Sequence, residues 1–139
     1  MLAKIEIEDY MTKDFIALEK DEDVFLAIKQ LLKHKQTSAP VLDKAGKFVG
    51  IFSEKDCIDA ILDVAYNQSK SGRVAEFMST DTNVVDAEAS ILDIVKKFKT
   101  CSERLLPVFK EDKLVGVVSG EDLLKALTSV SVSEKDAYQ

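Results

Sequence analysis

The sequence predicts an α+β fold built from two tandem β-α-β-β-α repeats that pack with pseudo-two-fold symmetry. Its only two prolines, Pro40 and Pro107, each precede a valine and lie in matched contexts 67 residues apart. A near-identical segment follows each proline, at 48–56 in the first copy and at 114–122 in the second. Internal repetition of this kind is typical of a unit that buries its apolar face against a neighbouring copy.

The duplication extends over residues 8–67 and 74–128, which we take as two repeats. Tyr10-Met11-Thr12 in the first matches Phe77-Met78-Ser79 in the second. The offset drops by one residue at the hairpin, where a deletion is tolerated best. The polar segment 129–139 is expected to be a flexible tail.

The apolar periods place the same elements in both copies. In the first copy they are a strand at 15–18, a helix from Val24 to the basic residues 33–35, strands from 41 and at 48–52, and a helix at 54–65. Asp21-Glu22-Asp23 supplies an N-cap and negative charge where the first helix begins. A linker at 67–73 joins the two copies. In the second copy the elements are a strand at 84–85, a helix at 90–99, a hairpin with its turn at 111–112, and a last helix up to 128.

Composition excludes several functional classes. The chain of 139 residues is 46% apolar and 32% charged, as in an ordinary globular protein. No run approaches the roughly 20 apolar residues of a membrane span, and the acidic, alternating N-terminus is unlike a signal peptide, so a cytoplasmic location is expected. The net charge is −6 without a basic stripe, which argues against nucleic-acid and anionic-membrane partners. Two cysteines are too few for a disulfide framework or a zinc site.

Residues for catalysis are also missing from the pattern. His34 is the only histidine, and its lysine neighbours indicate a solvated helix end. Without a paired acid motif or a Ser-His arrangement, we expect neither an enzyme nor a catalytic cofactor. Cys57 lies in an apolar helical context that favours core packing, with a redox role left open.

The sequence Ser-x-x-Asp occurs between an apolar strand and a helix in both copies, at Ser53-Asp56 and at Ser119-Asp122. One interpretation is a capping box, in which the serine caps the helix and the acid reaches back. The other is a ligand site, since one carboxylate can accept both hydroxyls of a ribose, while the serine and the free N–H groups of the helix favour a phosphate. The two roles are compatible.

These motifs resemble the cystathionine-β-synthase (CBS) domain, and the chain resembles a stand-alone tandem pair, or Bateman module, over residues 8–128. The resemblance depends on the Met-Thr/Ser opening, the step into Pro-Val, and the Gly-apolar-apolar-Ser-x-x-Asp signature, each present twice. It implies a regulatory module that binds an adenosine-containing nucleotide in the cleft between the repeats. It also implies homodimers formed through the helices that follow Asp56 and Asp122.

The resemblance, read with the local chemistry, gives two sets of expected ligand-binding residues. The first set is Ile16, Thr37, Ser38, Ala39, Pro40, Ser53, Lys55 and Asp56; the second is Asn83, Arg104, Leu105, Leu106, Pro107, Ser119 and Asp122. Small side chains and main-chain groups before the first proline would admit an adenine, whereas leucines give the second site apolar walls. Glu121 replaces Lys55 in the second copy, so we expect polyphosphate affinity to differ between the sites.

The function predicted is therefore ligand sensing. An adenine nucleotide, with AMP, ADP and ATP foremost, would bridge the repeats and change recognition of an unidentified partner protein. NAD, S-adenosylmethionine and cyclic dinucleotides present the same adenosine and stay open. The alternative is a dimeric structural or interaction module whose ligand sites are vestigial.

Overall fold

A computed structural model describes residues 5–67 and 72–137, with side chains up to Ser129. It confirms the α+β fold with two β-α-β-β-α units. The chain forms two compact units. The first-repeat unit is Ile16–Thr82, and the second-repeat unit joins the residues up to Phe15 to those from Asn83 onward.

The first-repeat unit contains a three-stranded sheet with helices from the same stretch of chain. Its elements are β1 Leu18–Glu19, α1 Val24–Lys33, β2 Ser38–Leu42, β3 Phe48–Ser53, α2 Glu54–Asn67 and α3 Val74–Phe77. The strand order is β1-β2-β3, with β2 parallel to β1 and antiparallel to β3. The core lies under this sheet and includes Leu18, Val24, Val41 and Phe52. The short helix α3 is an addition to the elements that the sequence predicted.

Helix α1 begins and ends with side-chain and main-chain caps that the charge pattern partly predicted. The carboxylate of Asp23 accepts the N–H groups of Phe25 and Leu26, both at 3.1 Å. At the other end Lys35 has a positive φ of 55°, and the N–H of Gln36 donates to the carbonyl of Leu31 at 3.0 Å. This is a Schellman motif, and it turns the chain sharply into β2.

The second-repeat unit repeats the arrangement. Its elements are β4 Val85–Asp86, α4 Ile91–Thr100, β5 Leu105–Lys110, β6 Lys113–Ser119 and α5 Gly120–Ala137, with a 3-10 turn at Ile7–Asp9. The strand order β4-β5-β6 again combines a parallel and an antiparallel pair. Helix α5 runs to Ala137 and so includes most of the segment 129–139, for which a flexible tail was predicted; residues 138 and 139 lie outside the described part.

Both prolines lie inside the central strand of their sheet. Pro40 pairs with Ile51 across β2 and β3, and Pro107 pairs with Val117 across β5 and β6. On the other side, β1 pairs only with Val41 and Leu42, so no partner strand needs an N–H from the proline. A proline is tolerated where no ladder bond is lost. Each proline therefore lies directly before the residues of its strand that pair with the parallel strand.

Each unit contains a short segment that belongs to the other sequence repeat. Ser79, from the second repeat, lies in the first-repeat unit, and Thr12, from the first repeat, lies in the second-repeat unit. Ser79 exchanges two hydrogen bonds of 2.9 Å with Ile51, and Thr12 bonds to Val117 at 2.8 and 3.0 Å. The neighbouring glycines make room for this approach. A Cβ on Gly50 would lie 2.5 Å from the carbonyl oxygen of Ser79, too close for any real contact.

Candidate functional site

The first Ser-x-x-Asp motif forms the predicted capping box at the start of α2. The N–H of Ser53 donates to Oδ2 of Asp56 at 2.8 Å, and the N–H of Asp56 donates to Oγ of Ser53 at 3.3 Å. The Ser53 hydroxyl also donates to the same Oδ2, at 2.9 Å. Asp56 is only 6% exposed. Its second oxygen, Oδ1, takes no hydrogen bond from the described residues, and none of their buried polar side-chain atoms is unpaired, so Oδ1 contacts solvent.

The second motif has the same box with a different third donor. The N–H of Ser119 donates to Asp122 at 2.9 Å, and the N–H of Asp122 donates to Oγ of Ser119 at 3.3 Å. The hydroxyl of Thr12 lies 3.2 Å from both oxygens of Asp122. Thr12 comes from the segment exchanged between the repeats, so this carboxylate is completed by a residue 110 positions away.

Strand register places other predicted residues beside the carboxylates. Ser38, the first residue of β2, pairs with Ser53, the last residue of β3. Leu105 pairs with Ser119 in the same way. Thr37 is exposed next to Ser38, which is 5% exposed. The end of one strand and the start of its neighbour therefore form one continuous edge in each unit.

Four of the predicted ligand-binding residues have fully buried side chains. Ala39 is fully buried in the core of the first-repeat unit and Leu106 in that of the second-repeat unit. Pro40 and Pro107 are also fully buried. The cause is that both faces of the central strand are covered here, since four consecutive residues of β2 and of β5 are buried. Ala39 and Leu106 can shape the edge only through their main chain.

Ile16 is joined to this edge by Gln36, a residue that the sequence analysis did not select. The N–H of Ile16 donates to Oε1 of Gln36 at 2.8 Å. Nε2 of Gln36 donates to the carbonyls of Ser38 at 3.1 Å and of Ile16 at 3.4 Å. The same stretch of chain lines a hollow of about 390 Å³, whose walls are Ile16, Ala17, Leu18, Glu22, Gln30 and His34.

Glu103 takes the place of Gln36 in the second-repeat unit, beside Asn83. The side-chain amide of Asn83 donates to the Glu103 carboxylate at 3.3 and 3.5 Å. Partial burial acts to raise the pKa of Glu103, but hydrogen bonds from its own main chain, from Cys101 and from Asn83 outweigh it and lower the pKa overall. The carboxylate therefore stays ionised at this end of β5.

The predicted cations are exposed at both sites. Lys55 is the second residue of α2, and Arg104 immediately precedes β5. Glu121, the counterpart of Lys55, lies 3.7 Å from Lys125. The helix N-terminus in the first-repeat unit thus carries a cation that the second lacks, as the sequence predicted.

Cys57 and His34 are the remaining residues that the sequence singled out for possible chemistry. Cys57 is buried in the core, as predicted, and burial, together with the charge of Asp56, raises the pKa of its thiol to about 11. His34 is exposed at the C-cap of α1, where Nδ1 lies 3.0 Å from the carbonyl of Gln30. The described residues hold no cluster of potential metal ligands. None of their helices is long and apolar enough to cross a membrane.

Sequence reasoning missed three residues of these sites: Thr12, Gln36 and Glu103. Thr12 was recognised only as part of a repeat match, because its contact with Asp122 spans most of the chain. Gln36 and Glu103 stand 67 residues apart, the same offset as the prolines. A comparison of polar residues at this offset would have found them.

The chain belongs to the CBS domain family. The family model matches residues 7–63 and 74–129, which are the two copies found in the sequence. The uncharacterized protein MJ1426 of Methanocaldococcus jannaschii is 30% identical over 87% of this chain and 90% of its own length. The chain spans about half the length of other relatives, such as MJ1225 and MJ0188 of the same organism, at 43% and 47%.

Solved CBS pairs share the fold. CBSX2 from Arabidopsis thaliana, solved in complex with AMP, has a TM-score of 0.79 and 22% identity and covers 91% of this chain and 98% of its own. The CBS domain pair of protein MJ0100, in complex with 5′-methylthioadenosine and S-adenosyl-L-methionine, has a TM-score of 0.77 and 23% identity, covering 89% and 96%. Some relatives are enzymes, and the chain covers 14% of the A-adding tRNA nucleotidyltransferase of Aquifex aeolicus.

Proposed function

We propose that this protein is a regulatory module that binds an adenosine-containing nucleotide and modulates a partner protein, rather than an enzyme. The observation that carries the proposal is the pair of buried carboxylates, Asp56 and Asp122, at matched positions after an apolar strand. Each is held by a capping box, and Asp56 keeps one oxygen toward solvent. Two vicinal hydroxyls fit one carboxylate, and such charge-assisted bonds are strong.

The surroundings suit the remainder of a nucleotide. Ser38 and Leu105 begin strands beside the carboxylates, and the main chain at Ile16 and Asn83 lies near those strand starts. We assign the base to this main chain and the phosphate to the N-terminus of α2 or α5, where free N–H groups favour an anion. The adenosine ligands in the structures of CBSX2 and the MJ0100 pair support this class of ligand.

A thermal-shift panel of AMP, ADP, ATP, NAD, S-adenosylmethionine and 5′-methylthioadenosine tests the proposal. A ligand at 100 times its Kd stabilises the fold by about 2.7 kcal/mol, which raises the Tm by several degrees for a chain of this size. At least one adenosine ligand should produce this shift, whereas a cytidine nucleotide should not. A flat panel at millimolar concentration contradicts the proposal and leaves the dimeric interaction module as the function.

Replacement of the carboxylates tests the assignment of the ribose. Asp56→Asn should weaken binding at the first-repeat site by about 1.5–3 kcal/mol, because a charged acceptor of the ribose is lost. The capping box predicts an additional loss of about 1 kcal/mol in the free energy of unfolding. Asp122→Asn should act alike at the other site. Titration calorimetry measures the affinities and urea unfolding the stabilities.

Asp59→Asn is the matched control, since Asp59 is an exposed acid on the same helix. It should change neither quantity. The 2′-deoxy form of the best ligand should reproduce the affinity loss with the wild-type chain. A stability loss in Asp56→Asn without any loss of affinity would mean that the acid serves only as a cap.

A further inference from the structure

The side chain of Gln36 occupies main-chain groups where the base of the proposed ligand is expected. Its Oε1 accepts the N–H of Ile16 at 2.8 Å, and its Nε2 donates to the carbonyls of Ser38 and Ile16 at 3.1 and 3.4 Å. One carboxamide therefore pairs with the donor and the acceptor of a single residue. It also ties that residue to the first residue of β2.

Adenine offers the same pair of groups as this carboxamide. A ring nitrogen accepts a hydrogen bond, and the neighbouring 6-amino group donates one. The main-chain N–H of Ile16 is a single donor, while its carbonyl has two lone pairs. Gln36 and an adenine cannot both bind this N–H, so the base has to displace the Oε1 contact before it can bind there.

The local fold aims Gln36 at Ile16. The Schellman motif at the end of α1 fixes Lys35 with a φ of 55° and uses the N–H of Gln36 to bind the carbonyl of Leu31. The main chain of Gln36 is thus held at the point where its side chain reaches back to Ile16. Gln36 is only partly buried, which leaves its side chain room to move.

The second-repeat unit has a looser arrangement at the matched position. Helix α4 ends with Cys101 in an extended conformation, φ −107° and ψ 160°, without the left-handed turn. Glu103 replaces Gln36, and an ionised carboxylate can accept hydrogen bonds but cannot donate one. Its carboxylate accepts hydrogen bonds from the side-chain amide of Asn83, at 3.3 Å or more, and the main-chain N–H of Asn83 also helps to lower its pKa. The main-chain carbonyl of Asn83 therefore receives no bond from Glu103.

We propose that Gln36 is an internal competitor for adenine, which holds the first-repeat site closed until its amide leaves Ile16, so that the second-repeat site fills first. The proposal rests on the proposed function and deepens it, since it makes the two sites unequal in their affinity for the base. A nucleotide would then fill the second-repeat site at low concentration and the first-repeat site only at higher concentration.

Titration calorimetry with AMP tests this on the full chain, fitted to two sites. Gln36→Ala should tighten the weaker site about tenfold, the equivalent of one hydrogen bond that no longer has to be broken. Gln36→Glu keeps an acceptor for the N–H of Ile16 but loses the donor, so it should give a smaller gain. Glu103→Gln is the matched control and should leave the weaker site unchanged. Purine riboside 5′-monophosphate keeps the ring nitrogen that accepts the N–H of Ile16 and lacks only the 6-amino group, so it should gain about as much as AMP from Gln36→Ala.

The possible outcomes distinguish a failure of the role proposed for Gln36 from a failure of the proposed function on which it rests. If Gln36→Ala and Gln36→Glu stay folded by circular dichroism but bind AMP no more tightly than the wild type, Gln36 is only a structural tie and the proposal is overturned. If Gln36→Ala does not fold, Gln36→Met, which keeps the length of the side chain without the amide, takes its place, and an unchanged affinity in that variant overturns the proposal. If no variant and no wild-type chain binds any adenosine ligand, both this proposal and the proposed function fail.

Discussion

At the scale of the residue, the helix cap that the structure shows and the ribose site that we propose involve the same side chains, and the sequence could not separate them. Ser53 and Asp56 show the point, since both interpretations of their motif depend on the same atoms. The capping box uses one oxygen of the carboxylate and leaves the other toward solvent. A helix cap can therefore preorganise a binding group without consuming it.

Cys57 should make the free energy of unfolding of the chain depend on pH. Its thiol has a pKa of about 11 in the folded chain, against 9.0 for an ordinary thiol. Because the folded state holds this proton more tightly, its contribution to stability is complete below pH 9 and is lost as the pH rises toward 11. The free energy of unfolding should therefore fall between pH 9 and 11 more steeply in the wild type than in Cys57→Ala.

Urea unfolding at several pH values between 8 and 11 measures this difference. Cys101→Ala is the control, because Cys101 is less buried and should leave most of the slope in place. If the free energy of unfolding falls equally steeply with pH in the wild type and in Cys57→Ala, the raised pKa of Cys57 is contradicted. Cys57→Ala should also be less stable at every pH, since it leaves a small cavity in the core.

At the scale of elements, the sequence predicted helices and strands that depend on neighbouring residues. It did not predict the contacts between segments that are far apart in the chain. The helix at Val24–Lys33 followed from its apolar period and the acid before it, and Asp23 caps it as expected. The contacts of Ser79 with Ile51 and of Thr12 with Val117 join elements whose pairing no periodicity encodes. The repeat match identified these segments, yet repetition alone does not say which copy a segment packs against.

The glycines of β3 and β6 are required by these crossing segments. Gly50→Ala should destabilise the fold by about 2–3 kcal/mol, because the new Cβ would lie 2.5 Å from the main-chain oxygen of Ser79, a residue that two hydrogen bonds hold to Ile51. Gly116→Ala should cost less, about 1 kcal/mol, since its nearest neighbour is the sulfur of Met11 at 2.6 Å and a methionine side chain can move.

Gly120→Ala is the matched control for both glycines. A Cβ there meets nothing within 4 Å, and alanine favours a helix, so this variant should be neutral or slightly stabilising. Chemical unfolding of the three variants gives the comparison. A Gly50→Ala chain as stable as the wild type would show that the crossing segment can move away at little cost.

At the scale of the whole molecule, α2 presents an unusual apolar surface. Ile58, Ile61 and Leu62 are 45–51% exposed, and Tyr66 is 80% exposed. These residues recur at helical spacing on one side, while Cys57 and Ala60 fill the core on the other. A stripe of this kind is typical of a partner interface, and the family resemblance implied dimers through this helix.

We expect the stripe on α2 to take part in a symmetric homodimer. Light scattering at micromolar concentration should give about 31 kDa, twice the chain mass of 15.4 kDa. Ile61→Asp should shift the mass toward the monomer, because it places a charge in the apolar stripe. Leu32→Asp, at an exposed leucine on α1, is the control and should not change the mass. A monomeric wild type would contradict this prediction.

The exchange of segments also determines how the chain would respond to force. The residues up to Phe15 and those from Asn83 onward belong to one unit, and Ile16–Thr82 is an insertion within it. A pull applied between the two ends is therefore carried first by the second-repeat unit alone. The bonds between Thr12 and Val117 lie where the first of these stretches joins the sheet, so they bear the load before the inserted unit is strained. The first-repeat unit is mechanically sheltered for as long as that junction holds.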